Sequence, residues 1–270
     1  MSDNDKVFGG SIPEIYDTHL VPLIFDECAA GLAARVAARA PGHVLETAAG
    51  SGVVTRALAP LLRPGARYTV TDLNQPMLDR AASRQPGRAH LSFRAADALA
   101  LPFEDACFDV VCCQFGVMFF PDRVAGFREA RRVLRPGGCF IFNSWDRIQE
   151  NVFADTVTSA LAGMFPDDPP RFLARTPHGY HDVEQIRADI LAAGFSAVEI
   201  ETTAAQSSAA SAVEPAVAYC HGTPLRNEIL ARGPDRLDEA TSHAARAIAA
   251  RCGAGPVSAK IQAHVVVATV

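Results

Sequence analysis

The most informative segment of this chain is VLETAAGSGVVTRAL, which runs from Val44 to Leu58. Its apolar start predicts a buried strand that delivers Glu46 at its carboxyl end, and its second half predicts a helix. Gly50 and Gly52 occupy the turn, where a positive φ or the close approach of a ligand requires glycine. The first N–H groups of a helix are free to bind a ligand. The segment therefore predicts a strand–turn–helix unit with a ligand at its turn.

Short strands and helices alternate on both sides of this unit. Strands are predicted at 43–47, 67–71, 91–95, 108–113, 139–145, 197–203 and 257–270. Helices between successive strands imply right-handed crossovers and an α/β fold with a doubly wound, mainly parallel sheet of seven strands. The last two strands do not follow this regular alternation of strand and helix, so we expect the last strand to be antiparallel. We predict one domain over 1–270, with an N-terminal helical lid at 1–40, a core at 41–203, a helical insertion at 204–256 and the final strand at 257–270.

Composition narrows the class of protein. The 270 residues are 49% hydrophobic and 20% charged, with a net charge of -5, which gives no general attraction to nucleic acid or to an anionic membrane. The longest apolar run, residues 110–120, is too short to span a bilayer. The start MSDNDK is polar and does not resemble a secretory signal. Seven cysteines without a framework spacing fit reduced, mostly buried thiols. We therefore expect a cytoplasmic protein that binds neither nucleic acid nor membrane.

An acid in the second strand sharpens the ligand prediction. Asp72 follows Gly52 by twenty residues, the spacing at which a carboxylate reaches the two hydroxyls of a ribose. A diphosphate-binding turn usually has a third glycine, where this sequence has Thr55. Glu46 would repel a diphosphate but would suit a ligand with an ammonium group. These residues favour S-adenosylmethionine over a nicotinamide dinucleotide. The alternative is that the glycines make a plain tight loop and that Asp72 caps the next turn.

With these motifs the sequence resembles a known family, the class I S-adenosylmethionine-dependent methyltransferases, and within it the bacterial small-molecule branch. The family pattern E/D-x-G-x-G-x-G is met by Glu46, Ala48, Gly50 and Gly52, with alanine at the first glycine position. TDLNQPML (residues 71–78), the Asp97 loop, CCQFGVMFF (112–120) and RVLRPGG (132–138) match later motifs in order. The resemblance implies a Rossmann-like fold, a helical lid over the cofactor and transfer of a methyl group to a small molecule. It implies these cofactor-binding residues: Tyr16, Glu46, Ala48, Gly50, Gly52, Asp72, Leu73, Met77, Asp97, Ala98, Gln114 and Phe115.

The catalytic residues stay open. A general base is needed only if the acceptor keeps its proton at neutral pH, and the candidates are Tyr16, His19, His178 and His181. The last two belong to TPHGYHD, a polar loop in which Asp182 is placed to cap the next helix, and we expect no metal there. Two other functions remain: a nicotinamide-dependent oxidoreductase, and a module that binds S-adenosylmethionine without catalysis. A homodimer is a candidate assembly.

Overall fold

The computed structural model describes residues 12–85 and 90–270. It contains a seven-stranded sheet in the order β3-β2-β1-β4-β5-β7-β6. The strands are β1 His43–Glu46, β2 Arg67–Asp72, β3 Leu91–Ala95, β4 Phe108–Gln114, β5 Leu134–Trp145, β6 Ala197–Ala209 and β7 Val257–Thr269. β1 to β5 pair in parallel. The prediction of a doubly wound, seven-stranded α/β sheet is confirmed.

β7 is the antiparallel strand. Asp146 N–H donates to the carbonyl of Gln262, and Val270 N–H donates to that of Gly138, so β7 runs against β5. β6 also runs against β7, since Ser196 N–H donates to Thr269 O. The antiparallel last strand expected from the sequence is thereby confirmed.

Helices connect the strands. They are α1 Ile12–Ile15, α2 Asp26–Ala37, α3 Val53–Leu58, α4 Gln75–Ser83, α5 Arg123–Val133, α6 Val152–Met164, α7 Phe172–Arg175, α8 Val183–Ala192, α9 Val213–His221, α10 Leu225–Arg232 and α11 Leu237–Cys252. A π-helical segment, Tyr16–Phe25, joins α1 to α2 and contains Pro22, which cannot donate a backbone hydrogen bond. Asp182 caps α8 as expected, accepting from the N–H groups of Glu184 and Gln185. None of the described helices is both long and apolar enough to cross a membrane.

The chain forms two compact units. The first comprises the described residues up to Asp26 together with Trp145–Tyr180 and Ala204–Ala263, and the second comprises Glu27–Ser144, His181–Thr203 and His264–Val270. In the first unit α11 packs against α6 and α9. In the second, the sheet carries an aromatic cluster where Phe127 of α5 meets two residues of β5, Phe140 and Phe142. The expected single domain stays a prediction.

Some predicted boundaries differ from the structure. β5 begins at Leu134, earlier than the predicted 139, because the Arg135–Gly138 segment extends the strand past a register shift against β4. β6 continues to Ala209, so the boundary predicted at 203/204 falls inside a strand. Residues 1–11 of the predicted lid lie outside the described residues, and the rest of that segment is helical as far as Ala37.

Candidate functional site

The turn after β1 has a left-handed backbone at three positions. Ala48, Gly50 and Gly52 have φ values of 51°, 57° and 78°. A Cβ atom at Gly52 would lie 2.9 Å from the Cβ of Ala81, so packing against α4 requires glycine there. Apart from chain neighbours, the one described atom within 4 Å of a Cβ at Gly50 would be Met77 Cε, at 3.6 Å. The backbone at Gly50 is therefore open to a ligand.

Asp72 ties the end of β2 to this turn. Its Oδ2 accepts a hydrogen bond from Gly50 N–H at 2.8 Å, and its Oδ1 accepts one from Asn74 N–H at 2.7 Å. The residue is only 6% exposed. Burial raises the pKa of Asp72, and the backbone N–H donors partly oppose that rise. Asp72 thus does cap its own turn, and each of its oxygens still has lone pairs for a ligand donor.

Glu46 ends β1 as a buried acid. Its Oε2 accepts hydrogen bonds from the Thr55 hydroxyl, at 2.6 Å, and from the Tyr68 hydroxyl. Within the described chain, Oε1 has no hydrogen-bond partner. Burial raises the pKa of Glu46 to about 7, although both hydroxyls act to lower it. The carboxyl group therefore has one anchored oxygen and one available oxygen.

The residues after Asp72 form an apolar and a polar flank. Leu73 is 55% exposed, which is unusual for a leucine, whereas Met77 is buried against Gly50. Ala96 N–H donates to Asp72 O at 3.0 Å, which fixes the loop that carries Asp97 beside Asp72. Asp97 is exposed, and its Oδ1 accepts from Leu99 N–H at 2.9 Å. Ala98 follows it and is half-buried.

The end of β4 also reaches the glycine turn. Gln114 ends the strand half-buried, and Phe115 is buried with a φ of 51°. A Cβ at Gly116 would lie 2.5 Å from the Cβ of Ala48, so this turn packs directly on the glycine turn. Asn143 of β5 pairs with Gln114 in the sheet, and its buried Oδ1 has no partner among the described residues. The carboxyl ends of β1, β2, β4 and β5 thus share one site.

This arrangement fits a nucleoside that carries an ammonium group. Asp72 can accept two ribose hydroxyls, and Oε1 of Glu46 can accept from an ammonium group. The open face at Gly50 lets a ligand lie against the backbone. A diphosphate would instead meet the acid Glu46 and would find Thr55 where a third glycine is usual. The predicted residues from Glu46 to Phe115 are therefore brought together in the second unit.

Tyr16 and His19 belong to the first unit. Tyr16 is half-buried, and its ring lies 5.2 Å from that of Phe25, measured between centroids. His19 is exposed on the same helical segment. A cofactor-binding role for Tyr16, and a catalytic role for either residue, stay predictions.

The TPHGYHD loop divides between the two units. His178 is buried in the first unit, where its Nδ1 lies 2.8 Å from the Asp146 carbonyl and its ring 6.0 Å from that of Trp145. Because a carbonyl only accepts, Nδ1 carries the proton. In the second unit the backbone carbonyl of His181 accepts from His264 Nε2 at 3.0 Å. Within 12–85 and 90–270 the structure shows no group of three or more His, Cys, Asp or Glu that could hold a metal.

Sequence reasoning did not assign Thr55, Tyr68 and Asn143 to the site. Thr55 was visible as the residue in place of a third glycine, and Asn143 as a polar residue after an apolar run. Tyr68 could not be assigned in this way. Its spacing of two residues from Val70 indicates only that both side chains lie on the same face of β2.

The fold and site define a class, the α/β proteins that bind a nucleoside cofactor at the carboxyl ends of parallel strands. A family profile described as "Methyltransferase domain" matches residues 45–142. A demethylmenaquinone methyltransferase of Thermus thermophilus is 32% identical over 168 residues, which are 58% of this chain and 76% of that protein. The YcgJ protein of Bacillus subtilis has a similar structure, with a TM-score of 0.59 and 20% identity, over 90% of this chain and 98% of that one. The chain belongs to the class I S-adenosylmethionine-dependent methyltransferases.

Other relatives match a shorter part of the chain. An uncharacterized protein of Mycobacterium tuberculosis is 44% identical over 108 residues, which are 39% of this chain and 38% of that protein. The chain therefore spans well under half the length of these relatives.

Proposed function

We propose that this protein transfers the methyl group of S-adenosylmethionine to a small-molecule acceptor. One observation carries the proposal: two buried acids, Glu46 and Asp72, meet a left-handed glycine turn at the carboxyl ends of β1 and β2. Membership in the methyltransferase family supports it independently.

Each part of the site has a proposed role. Asp72 accepts hydrogen bonds from the ribose hydroxyls, and Glu46 accepts from the ammonium group of the methionine part. Leu73 and Met77 pack on the two faces of the adenine, and Asp97 accepts from its amino group. The backbone at Gly50 and Gly52 lets the cofactor lie against the turn, with Ala48, Ala98, Gln114 and Phe115 around it.

Methyl transfer depends mainly on the alignment of the methyl donor with the acceptor. When bound, S-adenosylmethionine supplies a methyl group on a sulfonium, ready for in-line displacement. The chain contributes orientation, which removes several kcal/mol of the barrier because donor and acceptor no longer have to find each other. A base among His178, His181, His19 and Tyr16 is required only if the acceptor reaches the site protonated.

Calorimetry with S-adenosylhomocysteine tests this proposal. We expect micromolar-range affinity, and at least tenfold weaker binding for Asp72→Asn, because hydrogen bonds to a charged acceptor contribute about 1.5–3 kcal/mol. Asp79→Asn, which changes an exposed acid on α4, is the matched control and should bind like the wild type. Tight binding of NAD with no heat from S-adenosylhomocysteine would overturn the proposal in favour of an oxidoreductase.

A non-catalytic binding module would pass the binding test but not a turnover test. Release of S-adenosylhomocysteine from S-adenosylmethionine in the presence of candidate acceptors separates the two functions. We also propose a cytoplasmic site of action, supported by seven cysteines that are all free. The homodimer is a further proposal, which light scattering on the purified chain decides.

A further inference from the structure

Two hydroxyl groups from different elements anchor the same oxygen of Glu46. Thr55 lies on α3 and Tyr68 on β2, and both donate to Oε2. With Oε2 already accepting two hydrogen bonds, the proton of the neutral acid resides on Oε1. Oε1 is also the oxygen that has no partner in the described parts of the chain.

The charged groups around this acid act in opposite directions on its pKa. Asp72 of β2 favours the neutral acid, and Arg56 of α3 favours the carboxylate. The thiols of Cys112 and Cys113 on β4 stay neutral because burial raises their pKa values. With its own pKa raised by burial to about 7, Glu46 exists in both forms near neutral pH.

We propose that Thr55 and Tyr68 are positioning residues for the cofactor, which act through Glu46 by holding Oε2 so that Oε1 ionises against the ammonium group of the methionine part. Where Glu46 is neutral beforehand, binding breaks the Oε1–H bond and releases that proton to the solvent, with no change in oxidation state. This inference rests on the proposed function, because it needs a ligand with an ammonium group.

The proposal predicts a pH-dependent defect. Replacing Tyr68 by Phe removes a donor that favours the carboxylate, so the pKa of Glu46 rises, by about one unit if a single such hydrogen bond is lost. The dissociation constant of the variant for S-adenosylhomocysteine should then exceed that of the wild type about ninefold at pH 6 and about fivefold at pH 7. At pH 8.5 the two constants should agree within about 1.5-fold. Thr55→Val should show the same trend. Titration of the ligand itself cancels in these ratios.

Three controls make the measurement specific. Tyr219→Phe removes a buried hydroxyl in the first unit and should give a ratio near one at every pH. The probe 5′-methylthioadenosine has the nucleoside and the thioether but no ammonium, so its ratios should also stay near one. Calorimetry in buffers of different ionisation enthalpy should count about 0.9 proton released at pH 6 and about half a proton at pH 7 for the wild type, and none for Glu46→Gln.

The outcomes separate the inference from the function. If the wild type does not bind S-adenosylhomocysteine, the proposed function fails. If it binds, but Tyr68→Phe weakens binding equally at all pH values, the two hydroxyls have only a structural role and the inference is wrong. The same pH-dependent ratio for 5′-methylthioadenosine would also overturn it, because the effect would not depend on an ammonium group.

Discussion

At the scale of single residues, the ionisation of Glu46 should also affect folding. Its pKa is about 7 in the folded chain and near 4.5 when solvated, so the folded state favours the protonated form. Its contribution to stability is therefore complete below pH 4.5, falls as the pH rises towards 7 and stays low above that. A shift of this size corresponds to about 3 kcal/mol of unfolding free energy.

Glu46→Gln tests this because glutamine keeps the shape and cannot ionise. The unfolding free energy of the variant, relative to wild type, should rise by about 2.5 kcal/mol between pH 5 and pH 8 in the absence of ligand. Denaturant titrations at both pH values measure it. Glu199→Gln changes an exposed glutamate on β6 and should show no such rise. A difference that does not change with pH would contradict the raised pKa.

At the scale of elements, β6 shows a contact that its composition hides. Ser207 is buried near the end of the strand, and its hydroxyl donates to the Leu23 carbonyl at 2.7 Å. Ser207→Ala should lower the unfolding free energy by about 1–2 kcal/mol, because it leaves a buried carbonyl without its donor. Ser208→Ala is the control: that hydroxyl is exposed, and its loss should cost under about 0.5 kcal/mol. Equal effects of the two changes would argue against the buried contact.

The elements also show what sequence can and cannot predict. The sequence locates β1 to β4 within about one residue, because a Pro-Gly pair shortly precedes each of the first three strands and β4 is an apolar run. Residues 204–209 of β6, AAQSSA, have no apolar alternation, so the sequence places them in the insertion at 204–256 and not in the strand. They form a strand because they pair with β7, a segment some fifty residues later, and no local pattern reports that pairing.

The candidate site follows the same rule. Glu46, the glycines and Asp72 are close in sequence or at a typical spacing, so their meeting could be predicted. The partners of Glu46 could not, since Thr55 and Tyr68 converge on it from α3 and β2 only when the sheet forms. Asn143 likewise joins Gln114 through strand pairing alone.

At the scale of the whole molecule, the cysteine thiols differ in how deeply they are buried in the two compact units. Four of the seven cysteines are buried: Cys112, Cys113, Cys139 and Cys220. Cys28 is partly buried, and burial raises the pKa of its thiol to about 12.

A thiol reagent applied to the native protein at pH 8 should therefore modify Cys252 and Cys107 before the other five cysteines. Cys107 should react after Cys252, because burial raises the pKa of its thiol. Denaturant should expose all seven. The double variant Cys107→Ser, Cys252→Ser should lose the fast phase and keep five thiols. Rapid modification of more than two native thiols would show that a core opens more readily than its packing indicates.

The place of β6 at the end of the sheet has a consequence for solubility. A strand with a neighbour on one side only leaves backbone donors and acceptors that can template the addition of another chain. β6 has exposed acids at Glu199 and Glu201, the second of which forms an ion pair with Arg35 at 2.5 Å. Two copies meeting edge to edge would bring these like charges together, which opposes aggregation by strand addition. The two acids therefore disfavour edge-to-edge association along this long strand.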